Sequence, residues 1–230
     1  TVTGKVMEND YVKMGGIEMI PETIEIESIA DALPIVRKEI AATKKKKAVE
    51  RSSIDQRIDY RWIDLRTDEN QLMFKAQSCF VNAMRKFLLD RNFIEIHTPK
   101  LIAAASESGS EVFKVDYFDR NAYLAQSPQF YKQMAMAAGF ERIFETGPVF
   151  RAEKSYTNKH STEFSGFDLE FSYITSFKDV MKMEEELLTA GLQAVKDNYG
   201  DQIKELFGQE VIVPTTPFPV VKLADLYKGL

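Results

Sequence analysis

The sequence holds a single cysteine, Cys79, in 230 residues. One thiol cannot close an intrachain disulfide or anchor a thiolate metal site. Its place on the apolar side of an expected helix makes it a buried structural thiol. Long apolar runs are missing too, since none reaches the roughly 18 residues that a membrane span requires. No signal peptide heads the chain. Thr1-Val2-Thr3-Gly4-Lys5-Val6 reads as a strand without an initiator Met, as if the sequence starts within something larger. A reducing, cytoplasmic setting fits these absences. Positive charge is in deficit, with a formal net charge of -5. That total does not favour nucleic acid, although binding follows local patches. One basic cluster, Lys44 to Lys47 followed by Arg51, is either a solvated linker face or a phosphate contact for a polyanionic partner. Internal repeats and low-complexity tracts are also lacking.

What remains, 44% hydrophobic and 28% charged, is the profile of a globular chain long enough for a real core. Residues 1–33 are β-like and broken by glycine. Val2, Gly4 and Val6 open one strand, Met14-Gly15-Gly16-Ile17 gives a bend and a second, and the alternation from Ile24 to Ile29 predicts a third. This is too little to close a sheet and resembles the tail of a small barrel. Residues 34–66 read as a hinge with a short helix near Ile35 to Lys45. The alternating charges from Arg57 to Arg66 predict a pinned connector.

A long helix is expected from Asp68, acting as N-cap with Gln71 three residues on, to near Asn92. Met73, Ala76, Phe80, Met84 and Phe87 form its expected core face. Phe93 to Ile96 should be a strand ended by Pro99. Ser127 and Pro128 open a second helix, closed by Gly139. Ile143 to Glu153 and Phe164 to Ile174 predict two strands around a polar loop. A third helix starts after Ser176, with Val180, Met183, Leu187, Ala190 and Ala194 as its buried stripe. Val211 to Leu230 carries strand and turn signals. The class is α+β.

The two strands around the loop carry the chemistry. Side chains alternate along a strand, so Arg151 and Glu153 share one face, and Asp168 and Glu170 share one face of the returning strand. If the strands pair, Phe167, Leu169 and Phe171 pack on a core while the opposite face presents an arginine and three carboxylates. A strand-borne guanidinium is a stiff anion receptor; the same face could equally be a solvated one with cross-strand ion pairs. The loop adds Lys154, Lys159 and His160, a basic cover suited to a polyphosphate, and Phe164 could stack on a base or belong to the core.

Phe150-Arg151-Ala152-Glu153, His160, Glu163-Phe164 and Asp168-Leu169-Glu170 resemble motif 2 of class IIb aminoacyl-tRNA synthetases. Phe93 to Pro99 looks like motif 1. Ser106 to Phe113 is similar to the loop that closes over the amino acid in the aspartyl branch, and Gln126 to Gln133 resembles that branch's aspartate-binding helix start. The resemblance runs over essentially the whole chain. It implies a class II antiparallel sheet flanked by helices over residues 67–230, preceded by the last strands of an anticodon-binding OB barrel over 1–33 and a hinge over 34–66. It further implies formation of aspartyl-adenylate from L-aspartate and ATP, transfer to tRNA, and a homodimer through motif 1. The implied catalytic residue is Arg151, on the α-phosphate and the substrate α-carboxylate. ATP would also meet Glu153, Lys159, His160, Ser161 and Phe164. Aspartate would meet Glu107, Gln129 and Lys132, the lysine favouring a carboxylate over an amide.

Two features depart from the family. Lys159-His160-Ser161 stands where Arg-His-Leu is common, keeping the charge without the fork. Motif 3 and the Mg2+-holding acids are expected beyond Leu230, so no metal ligand is assigned within the chain. Without motif 3 the chain is expected not to activate aspartate alone, which aspartate-dependent ATP–pyrophosphate exchange would measure. The alternatives are an asparaginyl enzyme of the same subclass and a non-catalytic paralogue serving as an interaction module.

Overall fold

Alternation and glycine placement produce the first hairpin in the computed structural model, which describes residues 1–12, 15–37, 50–106, 111–154, 157 and 159–227. The chain divides into two compact units, Thr1–Thr67 and Asp68–Leu230. In the first, β1 (Val2–Glu8) pairs antiparallel with β2 (Ile17–Ile24), turned by Gly15 and Gly16, both at positive φ. Gly4 is obligatory at the bulge, because a Cβ there would collide with the Ile20 carbonyl oxygen. The ladder ends where the Glu25 N–H donates to the Thr1 carbonyl at 2.9 Å. The strand expected over Ile24 to Ile29 therefore stops at Ile24; no strand among the described residues runs beside 25–29 to accept its hydrogen bonds.

The connector forms two short helices, α1 (Ile54–Asp59) and α2 (Arg61–Asp64). Asp64, 2% exposed, takes two hydrogen bonds from Arg57, at 2.8 and 3.1 Å, and lies 3.5 Å from Arg51. The predicted pinning is this clamp, which also holds Arg51 within ion-pair distance of Asp64. Residues 34–37 are not helical, and both the rest of the helix expected near Ile35 to Lys45 and the lysines 44–47 lie outside the described residues.

In the second unit, α3 (Asp68–Leu89) packs on α5 (Phe177–Phe207). Asp68 is the first helical residue rather than the cap. The buried stripe is Phe80, Met84 and Leu88 at four-residue spacing, with Leu72 also buried; Met73 is 52% exposed, and Cys79 is only half-buried. On α5 the buried positions are Glu185, Leu187, Gly191 and Val195, while Val180 is exposed. Gly191 lets the helices approach, since a Cβ there would lie 2.6 Å from the Phe80 ring. Ser176 and Asp179 close a capping box at the head of α5.

Two sheets complete the unit. β3 (Ile94–Glu95) runs parallel to β7 (Arg142–Phe150), which pairs antiparallel with β8 (Glu163–Phe171). β4 (Leu101–Ile102), β5 (Lys114–Tyr117) and β6 (Arg120–Leu124) form the other, in order β4-β6-β5. Between them, α4 (Gln129–Ala137) starts one residue later than expected, with Pro128 as its cap position and the Ser127 hydroxyl accepting from the Gln129 N–H. Gly139, at φ 91°, terminates it with Phe140 N–H donating to Ala135 and Gly139 N–H to Met136. A last short helix, α6, spans Leu223–Leu226. The core joins Met84, Leu88, Phe93, Phe144 and Leu187, with Phe167, Leu169 and Phe171 packed against it. Among the described residues no helix is long and apolar enough to cross a membrane.

Candidate functional site

The β7–β8 ribbon sorts its side chains by alternation. Phe144 opposes Leu169 and Thr146 opposes Phe167 on the core face, where the Phe144 and Phe167 rings stack 5.8 Å apart. Glu145 opposes Asp168, Gly147 opposes Gly166 and Val149 opposes Phe164 on the other face, because directly paired residues share a side. This second face floors a cleft of about 90 Å3 that Lys100, Gln126, Ser127, Pro128 and Arg151 also line. The opposed glycines leave the floor bare. A Cβ on Gly147 would meet nothing nearer than Glu145 Oε1 at 3.6 Å, and one on Gly166 nothing nearer than Val149 Cγ2 at 3.8 Å. Each would reach ordinary van der Waals contact without collision, so glycine there leaves the floor of the cleft lower than any side chain would.

Arg151 follows β7 by one residue, and its N–H continues the ladder to the Thr162 carbonyl at 2.9 Å. Its guanidinium carbon lies 5.6 Å from the centre of the Phe164 ring. The Nε is buried and has no hydrogen-bond partner among the described residues. Such a donor costs about 1–3 kcal/mol unsatisfied, and an anion in the cleft would satisfy it.

Lys132 projects from α4. Its ammonium donates to Asp168 Oδ1 at 2.7 Å and lies 3.2 Å from Glu170. Burial pulls its pKa down, but the two carboxylates outweigh burial and hold it above the ordinary lysine value. The crevice around Lys132 is packed, with no room for a water, and shares Pro128, Glu145 and Asp168 with the Arg151 cleft, so Lys132 stands behind that cleft's wall.

Glu145, 5% exposed, accepts from the Thr98 N–H at 2.9 Å, the Thr98 hydroxyl at 2.7 Å and Lys100 Nζ at 2.9 Å. Burial raises its pKa; the lysine and threonine donors overcome that and leave it below the usual glutamate value. Gln126 is fully buried, accepts from the Ser106 N–H at 3.2 Å and donates to the Glu111 carbonyl at 3.5 Å.

The structure therefore brings Arg151, Phe164, Lys132, Asp168 and Glu170 together. It does not bring the others: Glu153, Lys159, His160 and Ser161 are exposed and line neither cavity, and β7 ends before Glu153. His160 instead contacts the Thr157 hydroxyl through Nδ1 at 2.5 Å. Gln129 is half-buried and lines neither cavity, and Glu107 lies outside the described residues. Sequence reasoning missed Thr98, Lys100, Glu145 and the paired glycines. Counting back in twos from Arg151 reaches Val149, Gly147 and Glu145, which was the available signal. Larger grooves of about 500 and 460 Å3 run along α5, but they are mostly apolar and hold no buried donor in want of an acceptor among the described residues. No three His, Cys, Asp or Glu side chains among the described residues converge as a cation site.

Residues 53–229 match the family described as tRNA synthetases class II (D, K and N). The chain is 45% identical over 218 residues to the aspartate–tRNA(Asp/Asn) ligase of Methanopyrus kandleri, covering 94% of this chain and 48% of the relative. Among solved structures, asparaginyl-tRNA synthetase from Pyrococcus horikoshii complexed with asparaginyl-adenylate superposes with a TM-score of 0.76 at 32% identity, covering 89% of this chain and 44% of that one. The aspartyl-tRNA synthetase of Entamoeba histolytica gives 0.75 at 30% identity, over 99% of this chain and 47% of that one. The chain thus spans about half the length of the curated relatives it matches.

Proposed function

Because the chain belongs to the class II tRNA synthetases of the D, K and N group, we propose that it carries the amino-acid- and ATP-binding ribbon of an aspartate–tRNA ligase. The observation that carries this reading is the pairing of an unsatisfied Arg151 donor, lining a cleft floored by opposed glycines, with a carboxylate-held Lys132 ammonium behind the wall of that cleft.

In this reading Arg151 takes the ATP α-phosphate and the amino acid α-carboxylate together. That alignment sets the carboxylate oxygen against phosphorus and stabilises the charge developing there. The oxygen–phosphorus bond forms, pyrophosphate leaves, and the terminal ribose hydroxyl of tRNA then takes the aspartyl group as AMP departs. The protein supplies no nucleophile. Asp168 and Glu170 occupy two sides of the Lys132 ammonium, and a remaining N–H of the three it carries receives the side-chain carboxylate of aspartate. Phe164 stacks on adenine, and Glu153 hydrogen-bonds it. Lys159, His160 and Ser161 meet the outer phosphates once the loop folds over ATP, Gln129 supports the aspartate, and Glu107 meets its α-ammonium. Mg2+ accompanies ATP, and no ligand to it is assigned within the described residues. A second copy of the chain docks along Phe93 to Pro99. Residues 1–33 end the anticodon barrel, and 34–66 form the hinge.

Calorimetry with a non-hydrolysable sulfamoyl mimic of aspartyl-adenylate tests the reading, with the asparaginyl mimic as comparison. The protein should prefer the aspartyl form. Arg151→Ala should weaken both about 10- to 100-fold, as loss of a charged hydrogen bond predicts, and Lys132→Met should erase the preference. Preference for the asparaginyl form, or no binding of either, would overturn it.

A further inference from the structure

The site holds a pair of like charges that its own geometry has to manage. Glu145 and Asp168 stand directly opposite one another on β7 and β8, on the cleft face. Opposed carboxylates on a sheet repel unless each is neutralised. Asp168 is answered by Lys132 at 2.7 Å, and Glu145 by Lys100 at 2.9 Å. Glu145 also lines both the Arg151 cleft and the Lys132 crevice, so its net charge is felt in each.

Lys100, like Thr98, comes from neither the ribbon nor α4. Its ammonium spans Thr98 Oγ1 at 3.2 Å and Glu145 Oε1 at 2.9 Å, close over the bare Gly147 position. With it in place, the cations Lys100, Lys132 and Arg151 face the carboxylates Glu145, Asp168 and Glu170. Without it, Glu145 stands as an uncompensated negative charge beside a lysine that already serves two carboxylates. Such a site repels an anionic side chain and leaves a neutral amide almost untouched.

We infer that Lys100 is a specificity-determining positioning residue: by neutralising Glu145 it keeps Lys132 receptive to a carboxylate rather than an amide. The inference rests on the ligase reading above.

The test compares the aspartyl and asparaginyl sulfamoyl mimics by calorimetry on the native protein, on Lys100→Met and on Lys100→Met/Glu145→Gln. Lys100→Met should weaken the aspartyl mimic by about tenfold or more, the scale of one unscreened charge at close range, and shift the asparaginyl mimic by less than about threefold. The double variant leaves no charge uncompensated and should recover the native preference. Equal losses on both mimics, or a double variant that stays impaired toward the aspartyl form alone, would overturn the inference. If Lys100→Met does not fold, the double variant decides, because its preference must match the native one. A native protein with no preference between the mimics is a separate outcome: the ligase reading itself then fails and takes the inference with it.

Discussion

Glu145 shows how much a single carboxylate can organise. Its folded pKa is depressed, so the stability it contributes is complete above the ordinary glutamate value of 4.5 and is lost as pH falls through the lower folded value. Glu145→Gln should cost about 2 kcal/mol at neutral pH, the worth of hydrogen bonds to a charged group. That corresponds to roughly 4–8 °C in melting temperature for a chain of this size. The deficit should narrow as thermal melts are taken below pH 4.5; a constant gap down to pH 3 would show that the charge is not what matters. The same residue marks where sequence reading stopped. Arg151 was legible as a cation on a strand, and Lys132 through the resemblance of Gln126 to Gln133 to an aspartate-binding helix start. Glu145 was not, because an acid inside an apolar strand looks like a solvated position until Thr98 and Lys100 are seen to face it. The strand bound was the part read too far: alternation was carried on to Glu153, whereas β7 ends at Phe150.

Elements were more readable than their edges. All three long helices, the motif-bearing strands and the Gly139 terminus could be placed from periodicity and caps. The stripes slid: Met73 and Val180 are apolar yet exposed, while Leu88 and Val195 are buried. Gly191 carried the strongest unused signal, an isolated glycine inside a helix. Its reason is the Phe80 ring, 2.6 Å from the place a Cβ would take. Gly191→Val should therefore destabilise the protein by about 1–3 kcal/mol, the cost of overpacking, despite replacing a poor helix former. Thermal denaturation measures this, and adding Phe80→Leu should return part of the loss, the coupling expected of residues in contact. Independent, additive effects would mean that the helices do not meet there.

At the scale of the molecule, the two units rest on different physics. β1 and β2 form a ribbon whose side chains are almost all exposed, and a two-stranded ribbon is marginal by itself. β7 and the core beneath it are buried. Hydrogen exchange should find β1–β2 amides at least about tenfold less protected than those of β7, α3 and α5; equal protection would show that something covers the hairpin. Along each strand of the β7–β8 ribbon, even-numbered and odd-numbered positions hold separate offices. Deleting or inserting one residue between Glu145 and Phe150 would exchange them beyond that point, leaving Glu145 in place but turning Arg151 inward and delivering Phe150 to the ligand. The segment can drift by substitution but not by length, so through descent its spacing should be kept more strictly than its letters.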